Sequence, residues 1–135
     1  MKKSLVFAGA LLALLASASP AMDQSVAVII NPKNANTPSQ EQIANIFLGK
    51  SNDLLGVDQP EGRSVREDFY QKVTGKNGTQ LKAYWAKLVF TGKAQALKEL
   101  TSDLEVKRFV ASTPNAIGYI DKGVVDGSVK VVMTP

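Results

Sequence analysis

Along the chain the apolar residues change period several times, and each change marks an element. SVAVIIN, residues 25–31, is a continuous apolar run rich in β-branched side chains, and it stops at Asn31-Pro32. A strand apolar on both sides belongs inside a sheet covered by helices, so the sheet is expected to be parallel or mixed. After the polar stretch NPKNANTPSQ, Ile43, Ile46 and Phe47 recur at helical spacing until Gly49 ends the pattern. Thr37 is the expected cap of this helix, with Pro38 at its first position and Gln40 three residues after the cap. SNDLLGVDQPEGR reads as a loop holding one short strand near residues 54–57. A second helix starts near Ser64, carries Val65, Phe69 and Val73 on one face, and ends at Gly75. Thr79 is the expected cap of a third helix, with a stripe of Leu81, Tyr84, Trp85 and Leu88 and a stop at Gly92. At that spacing Tyr84 and Trp85 read as core rather than as a stacking platform. Ser102 and Glu105 form a capping box for a fourth helix, whose apolar positions are Leu104, Val106, Phe109 and Val110. Residues 116–121 and 128–133 read as the last two strands, the second reached by a turn at Asp126-Gly127. One strand, four helices and two strands make an α/β module, with no internal repeat, low-complexity tract or linker.

The beginning of the chain follows a different pattern. Lys2 and Lys3 precede an uncharged apolar run over residues 5–15, and small residues fill positions 16–19. This is the pattern of a secretory signal peptide cleaved after Ala18 or Ala21, too short in its apolar part to be a membrane span. The expected organisation is therefore a signal peptide over residues 1–21 and one domain over residues 22–135, exported to a periplasmic space with no stable membrane insertion. Cleavage after Ala21 leaves 14 basic against 12 acidic residues, a small excess that gives no nucleic-acid footprint. Lys72, Lys76, Lys82, Lys87 and Lys93 make the middle of the chain basic, as a solvated face or as a surface for an acidic partner or an anionic membrane.

The chain has neither Cys nor His. That excludes a disulfide framework, a thiol nucleophile, a Ser-His-Asp triad and the usual zinc ligand sets. No carboxylates are paired at a spacing that suggests acid–base work, so neither an enzyme nor a metal or cofactor site is expected.

PEGRSVREDF, residues 60–69, is where the sequence offers binding chemistry. A Pro-Gly turn opens into a helix, with Ser64 and two arginines, Arg63 and Arg66, at its start. A helix N-terminus presents free backbone N–H groups and the positive end of the dipole, which together suit an oxyanion. Ser64 adds a hydroxyl, and the arginines add bidentate positive charge. The competing reading is an ordinary helix start whose arginines are solvated, with Arg66 beside Glu61.

Three patches in order, NIFLGKSN at 45–52, VREDFYQKVTG at 65–75 and NAIGYID at 115–121, carry a family resemblance. They resemble the phosphate-binding component of bacterial ABC-type phosphate importers, in the type II periplasmic binding protein superfamily, and most closely its short single-lobe members. The resemblance implies a single lobe with a mixed sheet flanked by about four helices. It also implies phosphate or a similar oxyanion as ligand and an importer or sensor protein as partner. In the full-length family the loop before the second helix holds phosphate through an Arg, an Asp and a Gly-Ser-Gly-Thr-type run. Set on Phe69, the family Arg falls on Gln59, the Asp on Glu61, the Ser on Arg63 and the Thr positions on Val65 and Arg66. Only Gly62 keeps its kind, and Ser64 supplies a hydroxyl one residue out of phase. The expected site is thus Gly62, Arg63, Ser64 and Arg66, of which Gly62 alone comes from the resemblance. One lobe offers one wall, so affinity on the order of millimolar is expected, about −4 kcal/mol. A homodimer or another protein would supply the second wall. The alternative is a lobe reused for protein–protein interaction, with no small ligand.

Overall fold

The computed structural model describes residues 25–135; the signal-peptide segment and its cleavage positions lie outside them. The described strands are β1 (Val26–Ile30), β2 (Leu55–Asp58), β3 (Lys98–Glu99), β4 (Ala116–Asp121) and β5 (Lys130–Met133). The helices are α1 (Gln40–Phe47), α2 (Ser64–Thr74), α3 (Gly78–Phe90) and α4 (Asp103–Ser112). They form one five-stranded sheet in the order β3-β2-β4-β1-β5. β2 is parallel to both β3 and β4, and β1 is antiparallel to both β4 and β5, so the sheet is mixed.

The continuous apolar run of β1 is explained by its position. Val26, Val28 and Ile30 face one cluster with Ile43, Phe47, Val65, Phe69 and Leu81 from α1, α2 and α3. Ala27 and Ile29 face a second cluster with Val106 and Val110 of α4. Helices therefore cover both faces of the sheet, and every residue of β1 is buried. Asn31, just past β1, is buried as well. Its side-chain amide donates to the carbonyls of Val110 and Ala111 at 2.9 and 3.0 Å, satisfying acceptors at the end of α4.

Two helix starts differ from expectation. Ser39, not Thr37, caps α1 in a reciprocal box with Gln42, and Pro38 lies outside the helix. Asn77, not Thr79, caps α3 in the same way with Gln80. In both cases the Gln three residues on decides the register, because its side chain returns to the cap N–H. At α4, Ser102 accepts from the Glu105 N–H as expected, but the Glu105 carboxylate turns to the Thr101 N–H and hydroxyl. The two-residue β3 has no apolar signal and went unforeseen. β5 starts at Lys130, two residues later than expected.

α3 is docked less deeply than its stripe suggested. Leu81 is its one fully buried residue, while Tyr84 and Trp85 are half-buried. The Tyr84 hydroxyl donates to the Leu48 carbonyl at 2.6 Å. The Trp85 ring lies so close to Gly49 that a Cβ there would meet its Cη2 at 2.9 Å, and its Nε1 is buried without a hydrogen-bond partner.

Gly118 in β4 lets α4 approach the sheet. A Cβ at this position would stand 2.7 Å from Val106 Cγ1 and 3.4 Å from Val110 Cγ2. Gly118→Ala is expected to destabilise the protein by about 1–3 kcal/mol through overpacking. Chemical denaturation checks this, and Gly118→Ala combined with Val106→Ala should recover part of the loss.

Candidate functional site

β2 and β4 run parallel, so Asp58 and Asp121 at their carboxyl ends share one edge of the sheet. In open α/β sheets this edge is where ligands bind. Here it is occupied by a network of the chain's own polar groups.

Asp58 and the following Gln59 are buried although polar. The Asp58 carboxylate accepts from the Tyr70 hydroxyl at 2.8 Å, from the Tyr119 hydroxyl, and from the Gln59 N–H at 2.8 Å. Arg66 Nε completes the set at 3.4 Å, and the Arg66 guanidinium lies 5.1 Å from the Tyr70 ring centre. A buried carboxylate is tolerable only when paired and hydrogen-bonded, and this one is both. Burial, and then the Asp58 charge, push the Tyr70 and Tyr119 hydroxyls well above the ordinary tyrosine range, keeping them neutral donors. At Arg66 burial is the largest single influence and works against the charge, but Asp58, Tyr70 and Tyr119 together outweigh it, so the guanidinium is held more firmly protonated. The rings of both tyrosines pack with Phe47 and Phe69, and Phe69 stacks on Tyr119 at 4.2 Å and 7°.

Gln59 links this network to a second one. Its side-chain amide donates to Asp103 Oδ1 at 2.8 Å and to the Tyr119 carbonyl at 2.9 Å. Its Oε1 accepts from Arg63 Nε at 2.7 Å. Asp103, the first residue of α4, also lies 3.6 Å from Arg63 Nη2 and accepts from the Asp121 N–H at 3.2 Å.

The four residues expected to hold an oxyanion fall within one turn. Gly62 takes φ 95°, the left-handed region, and is exposed. Arg63 is the N-cap of α2 in extended conformation, and its side chain makes no cap hydrogen bond. Ser64 is exposed at the first helical position. Both arginines are engaged by the chain's own polar groups, and Arg66 pairs with Asp58 rather than with Glu61. Arg63 is turned to Gln59 and Asp103, with its side chain 39% exposed, and Arg66 is turned to Asp58, with 12% exposed. Asp58, Gln59, Tyr70, Asp103 and Tyr119 went unrecognised in sequence as a polar unit. The one available signal was Asp58-Gln59 directly after an apolar strand, without turn chemistry until Pro60.

No protein-family model matches the chain, and no curated protein does. Solved structures do. The chain is similar to an ABC-type phosphate transport receptor from Vibrio cholerae with a TM-score of 0.63 at 20% identity, covering 81% of this chain and 45% of that one. It is similar at TM-score 0.63 and 22% identity to a Clostridium perfringens protein, described as a phosphate ABC transporter substrate-binding protein with bound phosphate. That match covers 80% of this chain and 44% of the other. PstS from Borrelia burgdorferi matches at TM-score 0.58 and 15% identity, over 80% and 46% of the two chains. The chain thus spans under half the length of these structures, and its fold is that of a single lobe of a type II periplasmic binding protein.

Proposed function

We propose that this chain is an exported solute-binding module that holds phosphate or a similar oxyanion weakly at the start of α2. Gly62, Arg63, Ser64 and Arg66 form the binding wall. The observation that carries it is the α2 start itself. Alone among the four described α-helices, its N-cap residue makes no side-chain cap hydrogen bond. It lies at the carboxyl edge of the parallel strands, in a fold shared with phosphate receptors. Two arginines stand at that start, so an anion there would meet both positive charge and the dipole.

The module would work in the periplasm with an importer or sensor protein. That partner, or a second copy of the chain, would supply the opposite wall. Among the described residues no helix is long and apolar enough to cross a membrane. No catalytic function is assigned. Weak affinity follows from the same geometry, because a solute on one wall stays partly hydrated and must compete for arginines already paired with Asp58 and Asp103.

Thermal unfolding in phosphate, sulfate and chloride at matched ionic strength tests the proposal. At ten times a millimolar Kd, phosphate should add about 1.4 kcal/mol, a rise in midpoint on the order of 5 °C. Chloride should add nothing comparable. Equal midpoints in the three salts would exclude an oxyanion site and leave protein partners as the role of the lobe.

A further inference from the structure

We propose that Asp103 is the residue that weakens oxyanion binding at this wall, by placing the chain's own carboxylate against Arg63, where a solute oxyanion would bind. This rests on the oxyanion proposal above and deepens it.

The Asp103 carboxylate is gripped by the kinds of donor that hold a bound oxyanion. One guanidinium, from Arg63, approaches at 3.6 Å. One side-chain amide, from Gln59, donates at 2.8 Å, and one backbone N–H, from Asp121, donates at 3.2 Å. The side chain is only 14% exposed, so this is an enclosed arrangement and not a solvated surface pair. Arg63 also donates to Gln59, which in turn donates to Asp103. The side-chain contacts of Arg63 described above therefore lead to Asp103, directly or through one intermediary. An external oxyanion approaching Arg63 meets a fixed negative charge that already holds its donors, and a like charge disfavours the ionised form of a neighbour. Asp103 contributes little to capping that would need protecting, because Ser102 caps α4.

The test is a phosphate titration of the full-length chain, followed by amide NMR, in the wild type, Asp103→Ala and Asp103→Asn. Alanine clears the position, while asparagine keeps its shape and removes its charge. Each variant is expected to bind phosphate tighter by about ten-fold, the factor carried by a like-charge effect of one pKa unit. Arg63→Ala added to Asp103→Ala should remove the gain. Glu61→Gln, which neutralises an exposed acid in the same turn, should give no comparable gain. An equal gain from Glu61→Gln would mean that net charge alone is responsible, and it would overturn the proposal. So would Asp103 variants that are folded by circular dichroism yet bind no tighter than wild type. In that case a phosphate-specific response of the wild type would preserve the oxyanion site while removing Asp103 from it, and no response in any protein would discard both. Should Asp103→Ala not fold, the isosteric Asp103→Asn carries the comparison.

Discussion

Asp58→Ala is expected to destabilise the protein by about 3–5 kcal/mol, the range for removing one partner of a buried charged pair. The substitution strips the acceptor from the Tyr70 and Tyr119 hydroxyls, the Gln59 N–H and Arg66 at once. Three of those groups belong to buried residues, and no water replaces the acceptor without opening the end of β2. A typical domain is stable by about 5–15 kcal/mol, so this loss is a large fraction of the whole. Asp58→Asn should also remain well below wild type. Its amide nitrogen adds a donor where the native oxygens accept. Urea denaturation of both variants measures the effect, and a loss under about 1 kcal/mol for Asp58→Ala would show that the network is not a stability element.

The second large effect is alkaline unfolding. Tyr70 and Tyr119 have hydroxyls raised in the folded state, first by burial and then by the Asp58 charge. A folded pKa above the unfolded value of about 10 contributes stability that is present in full below pH 10. That stability is lost as pH rises from there toward the folded values, because the unfolded chain ionises first. Two such phenols give a slope of up to about 2.7 kcal/mol per pH unit. Such a slope is a sizeable fraction of the stability of a modest domain for each unit of pH. Phenolate absorbance and far-ultraviolet circular dichroism should change together above pH 10. Phenolate beyond the share of the half-buried Tyr84 that appears first, with secondary structure intact, would show that these hydroxyls reach solvent in the folded protein.

Much of the fold could be read from the sequence because its signals are local. The β1 run, the α1 and α2 stripes and the AIGYID strand each carry their own period, and Gly49 and Gly75 mark the ends of their helices. β3 carried no period at all, since Lys98 and Glu99 pair with β2 through backbone groups alone and leave both side chains exposed. The candidate site divides in the same way. Gly62, Arg63, Ser64 and Arg66 are neighbours in sequence and were legible as a helix start. Gln59 and Asp58, which engage Arg63 and Arg66, are near in sequence, but the rest of the network comes from afar. Asp103 lies in α4, and Tyr119 lies in β4, 61 residues from the carboxylate it donates to. Tyr119 fell within an expected strand; its ring is core, while its hydroxyl belongs to the polar network. No spacing rule joins such groups, because only the closing of the sheet brings them together.

The shallow docking of α3 has an optical consequence. Trp85 is the sole tryptophan of the chain, and it sits where α3 meets the end of α1, against Gly49. Its emission therefore reports one contact rather than the average of the molecule. Departure of α3 would wet the indole and shift its fluorescence to the red while the sheet, seen by circular dichroism, stays in place. The protein thus carries its own probe for separating local opening at this helix from global unfolding.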